Sequence, residues 1–152
     1  MIHDIHGKSL GRAVGHRVVV KPFPGATTKA MKDYLKPNLE LRPDQVVLHV
    51  GTNDLKAKTP QTVVEAIVDL ARQIEISSEA KIVVSGLVTR KDKFKNNVSD
   101  VNKYLKKFCR QNEWSFIEHH NIDEKGLNQG GLHLNSAGNR RFFENFRNSL
   151  SH

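Results

Sequence analysis

Three short segments of this chain carry residue types suited to one kind of chemistry. Asn53 sits in Gly51-Thr52-Asn53-Asp54 and offers an amide donor. His133 sits in Gly130-Gly131-Leu132-His133-Leu134-Asn135, and an imidazole is the side chain best suited to proton transfer near neutral pH. Gly25, within Pro24-Gly25-Ala26, lets a backbone N–H come close to a ligand. An Asn amide and a glycine N–H would supply two oxyanion donors, and a histidine the general base, of an acyl-transfer site. Losing one such donor typically costs ~3 kcal/mol of transition-state stabilisation. Each residue also has a plainer reading. Asn53 and Asp54 would serve a turn and cap the next element, and His133 would be a satisfied loop histidine.

The elements that must position them are set by the hydrophobic pattern. Asp44 to Val50 is a valine-rich run too short for a helix, and it stops at a glycine. It reads as a strand buried on both faces, in the middle of a parallel sheet. Asn53 then falls at the carboxyl end of that strand, where open α/β sheets place their ligands. Lys81 to Val88 reads as a second buried strand, and His16 to Phe23 and Trp114 to Ile117 as two more. Helices are predicted between them. One runs from Ile2 to Val14. A second is capped by Thr27 or Thr28, carries Met31, Tyr34 and Leu35 on one face, and ends at Pro37. Thr59 and Pro60 open a third, with Val63, Ile67, Leu70, Ala71 and Ile74 as its apolar stripe. Asn97 is the predicted cap of a fourth, bearing Val98, Val101, Leu105, Phe108 and Cys109. Asn135 or Ser136 caps the last, with Phe142, Phe143, Phe146 and Leu150.

Alternation of this kind means a single α/β domain, residues 1–152, with a parallel sheet and right-handed crossovers. One feature departs from the pattern. A doubly wound domain usually opens on a strand in the middle of its sheet, whereas this chain is read as opening on a helix. With four strands, the amino-terminal strand is expected to be absent.

Composition sets the class. The chain has 152 residues, of which 38% are hydrophobic and 26% charged, which suits one globular domain. No apolar run approaches the ~20 residues of a membrane span, and the first residues lack the apolar core of a signal peptide. The pattern is that of an intracellular protein, with the compartment open. Cys109 is the single cysteine, so a disulfide framework is excluded, and its helical setting makes it a buried structural thiol rather than a nucleophile. The net charge is +8, and between Arg90 and Arg110 eight Lys and Arg face two Asp. Such a segment would attract phosphate backbones in a salt-dependent way, with Lys103, Lys106 and Lys107 as the contacts. Against this, Tyr104 and Phe108 read as packed rather than available for stacking, and a solvated helix face explains the charge equally well.

Taken together, Pro24-Gly25-Ala26, Gly51-Thr52-Asn53-Asp54 and Gly131-Leu132-His133-Leu134-Asn135 resemble the SGNH (GDSL-type) hydrolases, in this order and spacing and over essentially the whole chain. The resemblance implies a three-layer, flavodoxin-like fold. It also implies hydrolysis of a small acyl ester by a serine nucleophile, with His133 as base, Asn53 and Gly25 as oxyanion donors, and Gly51, Thr52 and Asp54 beside the substrate. No cofactor or metal is implied. The texture of VVLHVGTNDL and GGLHLNSAGNRRF is closest to the esterase-like domains found beside endonuclease and reverse transcriptase in animal retrotransposons.

Two departures limit that expectation. The family's Gly-Asp-Ser block, which carries the nucleophile, does not occur in these residues. Met1-Ile2-His3 looks like the segment just after that serine, so a truncated copy with impaired or absent activity is expected. A non-catalytic, retroelement-derived module that binds nucleic acid or protein through residues 90–110 is the alternative. The second departure is Gly130, which stands where the family usually has the aspartate that orients the histidine. Asp123 lies in the preceding loop, with no spacing argument in its favour. Gly7-Lys8-Ser9-Leu10-Gly11 matches the Gly-x-Ser-x-Gly pattern literally, but that elbow needs a strand before it, and Ile2 and Ile5 are spaced as in a helix. Ser85 reads as inside a buried strand, and Ser136 as a cap.

Overall fold

Valine-rich runs of five residues, each bounded by polar or glycine-containing turns, form the centre of a parallel sheet. The computed structural model describes Ile2, His3, Lys21, Pro22 and residues 27–150. Its strands are β1 (Ile2–His3), β2 (Lys21–Pro22), β3 (Gln45–His49), β4 (Lys81–Ser85) and β5 (Ser115–Ile117), in the order β2-β1-β3-β4-β5. Every pairing is parallel. The order reverses between β1 and β3, so the carboxyl end of β3 lies at the switch point where such sheets open a crevice.

Helices cover both faces. On one side lie α1 (Thr28–Leu39), α2 (Pro60–Ser77) and α3 (Lys95–Asn112). Met31, Leu35, Val63, Ile67, Ala71, Ile74, Val101 and Leu105 pack there against Val46, Leu48, Ile82 and Val84. On the other, α4 (Ser136–Leu150) places Phe142 and Phe146 against Val47, Val83 and Ile117. The alternation of β3 and β4 residues between the two clusters is the period of two that a strand imposes. Both central strands are therefore apolar on both faces, as the sequence indicates.

Several boundaries differ from expectation, each for a local reason. Ile2–His3 is extended and paired between β2 and β3, which contradicts a helix starting at Ile2 and makes five strands among the described residues rather than four; residues 4–14 of the expected helix lie outside the described residues. Pro37 lies inside α1. The helix continues two residues beyond it, and Asn38 Nδ2 donates to the Tyr34 carbonyl at 2.7 Å. Tyr34 is 41% exposed and not part of the buried face. Helix α3 begins at Lys95, before the expected cap Asn97, because the Asp92 carboxylate accepts the Phe94 N–H at 3.0 Å and starts the turn earlier. Thr27 and Thr59 do cap α1 and α2. Among the described residues no helix is long and apolar enough to cross a membrane.

Candidate functional site

The turn after β3 is built around a glycine whose backbone conformation L side chains rarely adopt. Gly51 has φ 123, and a Cβ there would come 2.8 Å from Ile67 Cδ1. The chain reverses at this point into a short 3-10 turn, Thr52–Lys56, which carries Asn53, half-buried, at the carboxyl edge of the sheet. The turn is held from two sides. On the first, Asp54 is 2% exposed and its carboxylate accepts the Thr28 N–H at 3.0 Å and the Thr28 hydroxyl. A carboxylate at the first turn of α1 also meets the positive end of the helix dipole. Asp54 is expected beside the substrate, but its side chain faces helix α1 instead.

On the second side stands Arg90, 2% exposed. Its Nη1 donates to the Thr52 carbonyl at 2.8 Å and to Thr52 Oγ1 at 3.2 Å. Its Nε and Nη2 donate to Asp92 at 3.1 and 2.6 Å. The guanidinium also lies 5.1 Å from the centre of the Phe94 ring. It holds the Asp92 carboxyl below the usual carboxylate range. Counted as surface charge in the sequence, Arg90 is a buried strut.

The next residue reaches the histidine loop. Lys91 N–H donates to the Gly131 carbonyl at 2.8 Å. Gly131 has φ 71, and a Cβ there would come 2.6 Å from Lys91 Cβ. Residues 90–92 thus touch both the residue before Asn53 and the residue two before His133. The loop itself is a small hairpin. Leu127 bridges Leu134 antiparallel, and the Asn128 N–H donates to the His133 carbonyl at 2.8 Å. Leu127 and Leu134 point into the core beneath α4, so His133, next to Leu134, is exposed. Asn135 fixes the far end. Its amide donates to the Lys125 and Leu127 carbonyls at 2.7 and 3.1 Å, and its Oδ1 accepts the Gly138 N–H at 2.9 Å as the cap of α4.

Residues 3–141 match the GDSL-like Lipase/Acylhydrolase family. The chain belongs to that family. The fold agrees with solved members and with esterases. A GDSL-like lipase from Bacteroides thetaiotaomicron superposes with a TM-score of 0.81 at 12% identity, covering 99% of this chain and 85% of that one. A lipolytic G-D-S-L family protein from Veillonella parvula gives 0.79 at 16% identity, with 99% and 96% covered. An acetylxylan esterase from Geobacillus stearothermophilus gives 0.77 at 13% identity, with 99% and 92% covered. No curated protein matches the sequence.

Gly25 and Ser9 lie outside the described residues. At Gly130, the nearest atom to a built Cβ is Asn128 Oδ1 at 3.4 Å. The Asp123 carboxylate accepts the Lys125 N–H at 3.0 Å and serves that turn. Lys103, Lys106 and Lys107 are exposed on α3, with Lys106 paired to Glu118 at 2.8 Å and Lys95 to Glu124 at 2.7 Å. Tyr104, read as packed, is 45% exposed. A cleft of about 650 Å³ between α3 and the loop after β5 is lined by Leu87, Asn102, Phe116 and His119; neither Asn53 nor His133 lines it.

A second histidine–serine arrangement was not legible in the sequence. His49, Ser85 and His119 are buried under α4, with Ser85 Oγ 2.9 Å from His49 Nδ1 and 2.7 Å from His119 Nε2. Asn145 Nδ2 lies 3.0 Å from His119 Nδ1 and, assigned as the donor there, leaves the His119 proton on Nε2. Nε2 then donates to Ser85, and the Ser85 hydroxyl donates to His49. His119, as the donor, does not deprotonate the serine; His49, which accepts the hydroxyl, has the position of a base, but Ser85 is 1% and His49 4% exposed, so the pair is closed to a substrate. Burial pushes the His49 pKa down to about 4 and that of His119 down to about 3, the latter helped by the neighbouring His49 and His120. The trio is a neutral, satisfied core network. Register could have hinted at it, since His49 is the last residue of β3, and Ser85 the last of β4.

Proposed function

We infer that this chain is a serine-type acyl-ester hydrolase domain in which Asn53 and Gly25 stabilise the oxyanion and His133 acts as general base. The observation that carries this reading is the pair of bonds from Arg90 to Thr52 and from Lys91 to Gly131. Through them one three-residue segment touches both the turn that bears Asn53 and the loop that bears His133, at the carboxyl edge of the sheet. Thr28, three residues after Gly25, is hydrogen-bonded to the same turn through Asp54, which supports Gly25 as a partner of Asn53. Family membership supplies the reaction class. Substrates in the range of the acetylated sugars implied by the Geobacillus esterase's name are the first to try.

No Gly-Asp-Ser tripeptide occurs in these residues, and turnover is accordingly impaired or absent. The retroelement kinship rests on the texture of residues 46–55 and 130–142. Nucleic-acid contact is a weaker reading, because Arg90 is buried and Lys95 and Lys106 are paired to carboxylates.

Two measurements test this. Hydrolysis of p-nitrophenyl acetate by the unaltered chain should not exceed that of His133→Ala; a His133-dependent rate abolished by Ser9→Ala would overturn the impairment and name the nucleophile. Titration with a methylphosphonate monoester, a tetrahedral anion, should shift the NMR signals of the Asn53 side-chain amide and the His133 ring together. If neither moves, the oxyanion assignment is wrong.

A further inference from the structure

We propose that Arg90 is a positioning residue for Asn53, and that residues 90–92 set the oxyanion turn against the histidine loop; this rests on the ester-hydrolase reading of Asn53 and His133. A guanidinium is expensive to remove from water, and a buried ion pair is weak support for stability, since apolar residues of similar size often serve as well. The bonding of Arg90 is directional instead. Its Nε and Nη2 edge is taken by the Asp92 carboxylate at 3.1 and 2.6 Å, and its Nη1 reaches across to the Thr52 carbonyl at 2.8 Å. Asp92 in turn starts helix α3 by accepting the Phe94 N–H, so the fork is fixed to a rigid element. The Thr52 carbonyl and the Asn53 N–H belong to one planar peptide unit. Gripping that carbonyl, and Thr52 Oγ1 as well, fixes the plane from which the Asn53 side chain departs.

The same segment limits the other partner. Lys91 N–H holds the Gly131 carbonyl at 2.8 Å, and the absence of a side chain at Gly131 lets the two backbones approach, a Cβ there falling 2.6 Å from Lys91 Cβ. A lysine at position 90 keeps the charge but, with a single ammonium, cannot fork between Thr52 and Asp92 in this geometry.

The test is NMR on the whole chain with Arg90→Lys and Arg90→Met, alongside urea unfolding. Both variants should move the Asn53 side-chain amide and Gly131 backbone amide signals, while the amides of Val63 to Ile74 in α2 stay within their unaltered positions. Unmoved Asn53 signals in a folded variant would overturn the proposal. So would shifts spread evenly through α2, or a failure of both variants to fold, since either makes Arg90 a general stabiliser. The ester-hydrolase reading fails by a different sign: no response of Asn53 to the phosphonate in the unaltered chain. In that case the Arg90 variants still decide the positioning role.

Discussion

The Thr28 backbone N–H donates to the Asp54 carboxylate at 3.0 Å, joining the start of α1 to the turn after β3 across 26 residues of sequence. The carboxylate also accepts the Thr28 hydroxyl and lies 3.5 Å from Lys58 Nζ. Removing it leaves two buried donors at a helix N-terminus without their acceptor. Asp54→Ala should therefore lose about 3 kcal/mol of stability, and Asp54→Asn, which keeps one acceptor oxygen, about half of that. Urea unfolding of the two variants checks the order. Equal, small losses would mean that water replaces the carboxylate.

The buried histidine pair predicts acid sensitivity. Both folded-state values, about 4 for His49 and about 3 for His119, lie below the ordinary 6.5. The native state therefore holds fewer protons than the unfolded chain, and stability is complete above about pH 6.5 and declines as pH falls toward the folded values. At ~1.4 kcal/mol per pH unit per proton, each histidine accounts for roughly 2 kcal/mol between pH 7 and 5. Urea midpoints at pH 7, 6 and 5 read this directly. That window lies above the range in which Asp92, Glu118 and Glu124, all held low by Arg or Lys partners, lose their own contributions. A flat profile would mean that both histidines keep the unfolded chain's proton affinity in the folded protein, and half the expected decline that one of them does.

Gly131 and Gly130 are adjacent but should respond differently to alanine. Gly131→Ala must adopt φ 71 and displace Lys91 Cβ from 2.6 Å, a combination worth roughly 2–3 kcal/mol. Gly130→Ala meets Asn128 Oδ1 at 3.4 Å, an ordinary contact, and should change stability by less than about 0.5 kcal/mol. Thermal melts of the two variants give the comparison. Similar losses at both positions would contradict the backbone contact between residues 91 and 131.

The Cys109 thiol should be silent in the folded protein. It is 2% exposed and burial pushes its pKa up to about 12, while the thiolate is the reactive form. Ellman's reagent near neutral pH should label it at a rate that tracks unfolding in urea. Rapid labelling without denaturant would show that α3 opens from the sheet.

How much of this was legible in the residues depends on the range of the forces involved. Valine runs ending at glycine, the i, i+4, i+7 stripe of α2, and the Thr59-Pro60 helix start are local signals, and they specified the α/β layering, the central strands and the position of Asn53 at a strand's carboxyl end. The misplaced boundaries have local causes that compete at similar strength: Asp92 accepting the Phe94 N–H ahead of Asn97, and a helix that runs two residues past Pro37. The roles of Asp54, Arg90 and the His49–Ser85–His119 row were not legible. Each depends on partners 26 to 38 residues away, and a charged or imidazole side chain looks the same in sequence whether it faces water or a buried carbonyl. Tertiary packing alone removed water from those groups. Once dry, each needed a specific partner, and the partners found by Asp54 and Arg90 hold the Asn53 turn in place beside the His133 loop.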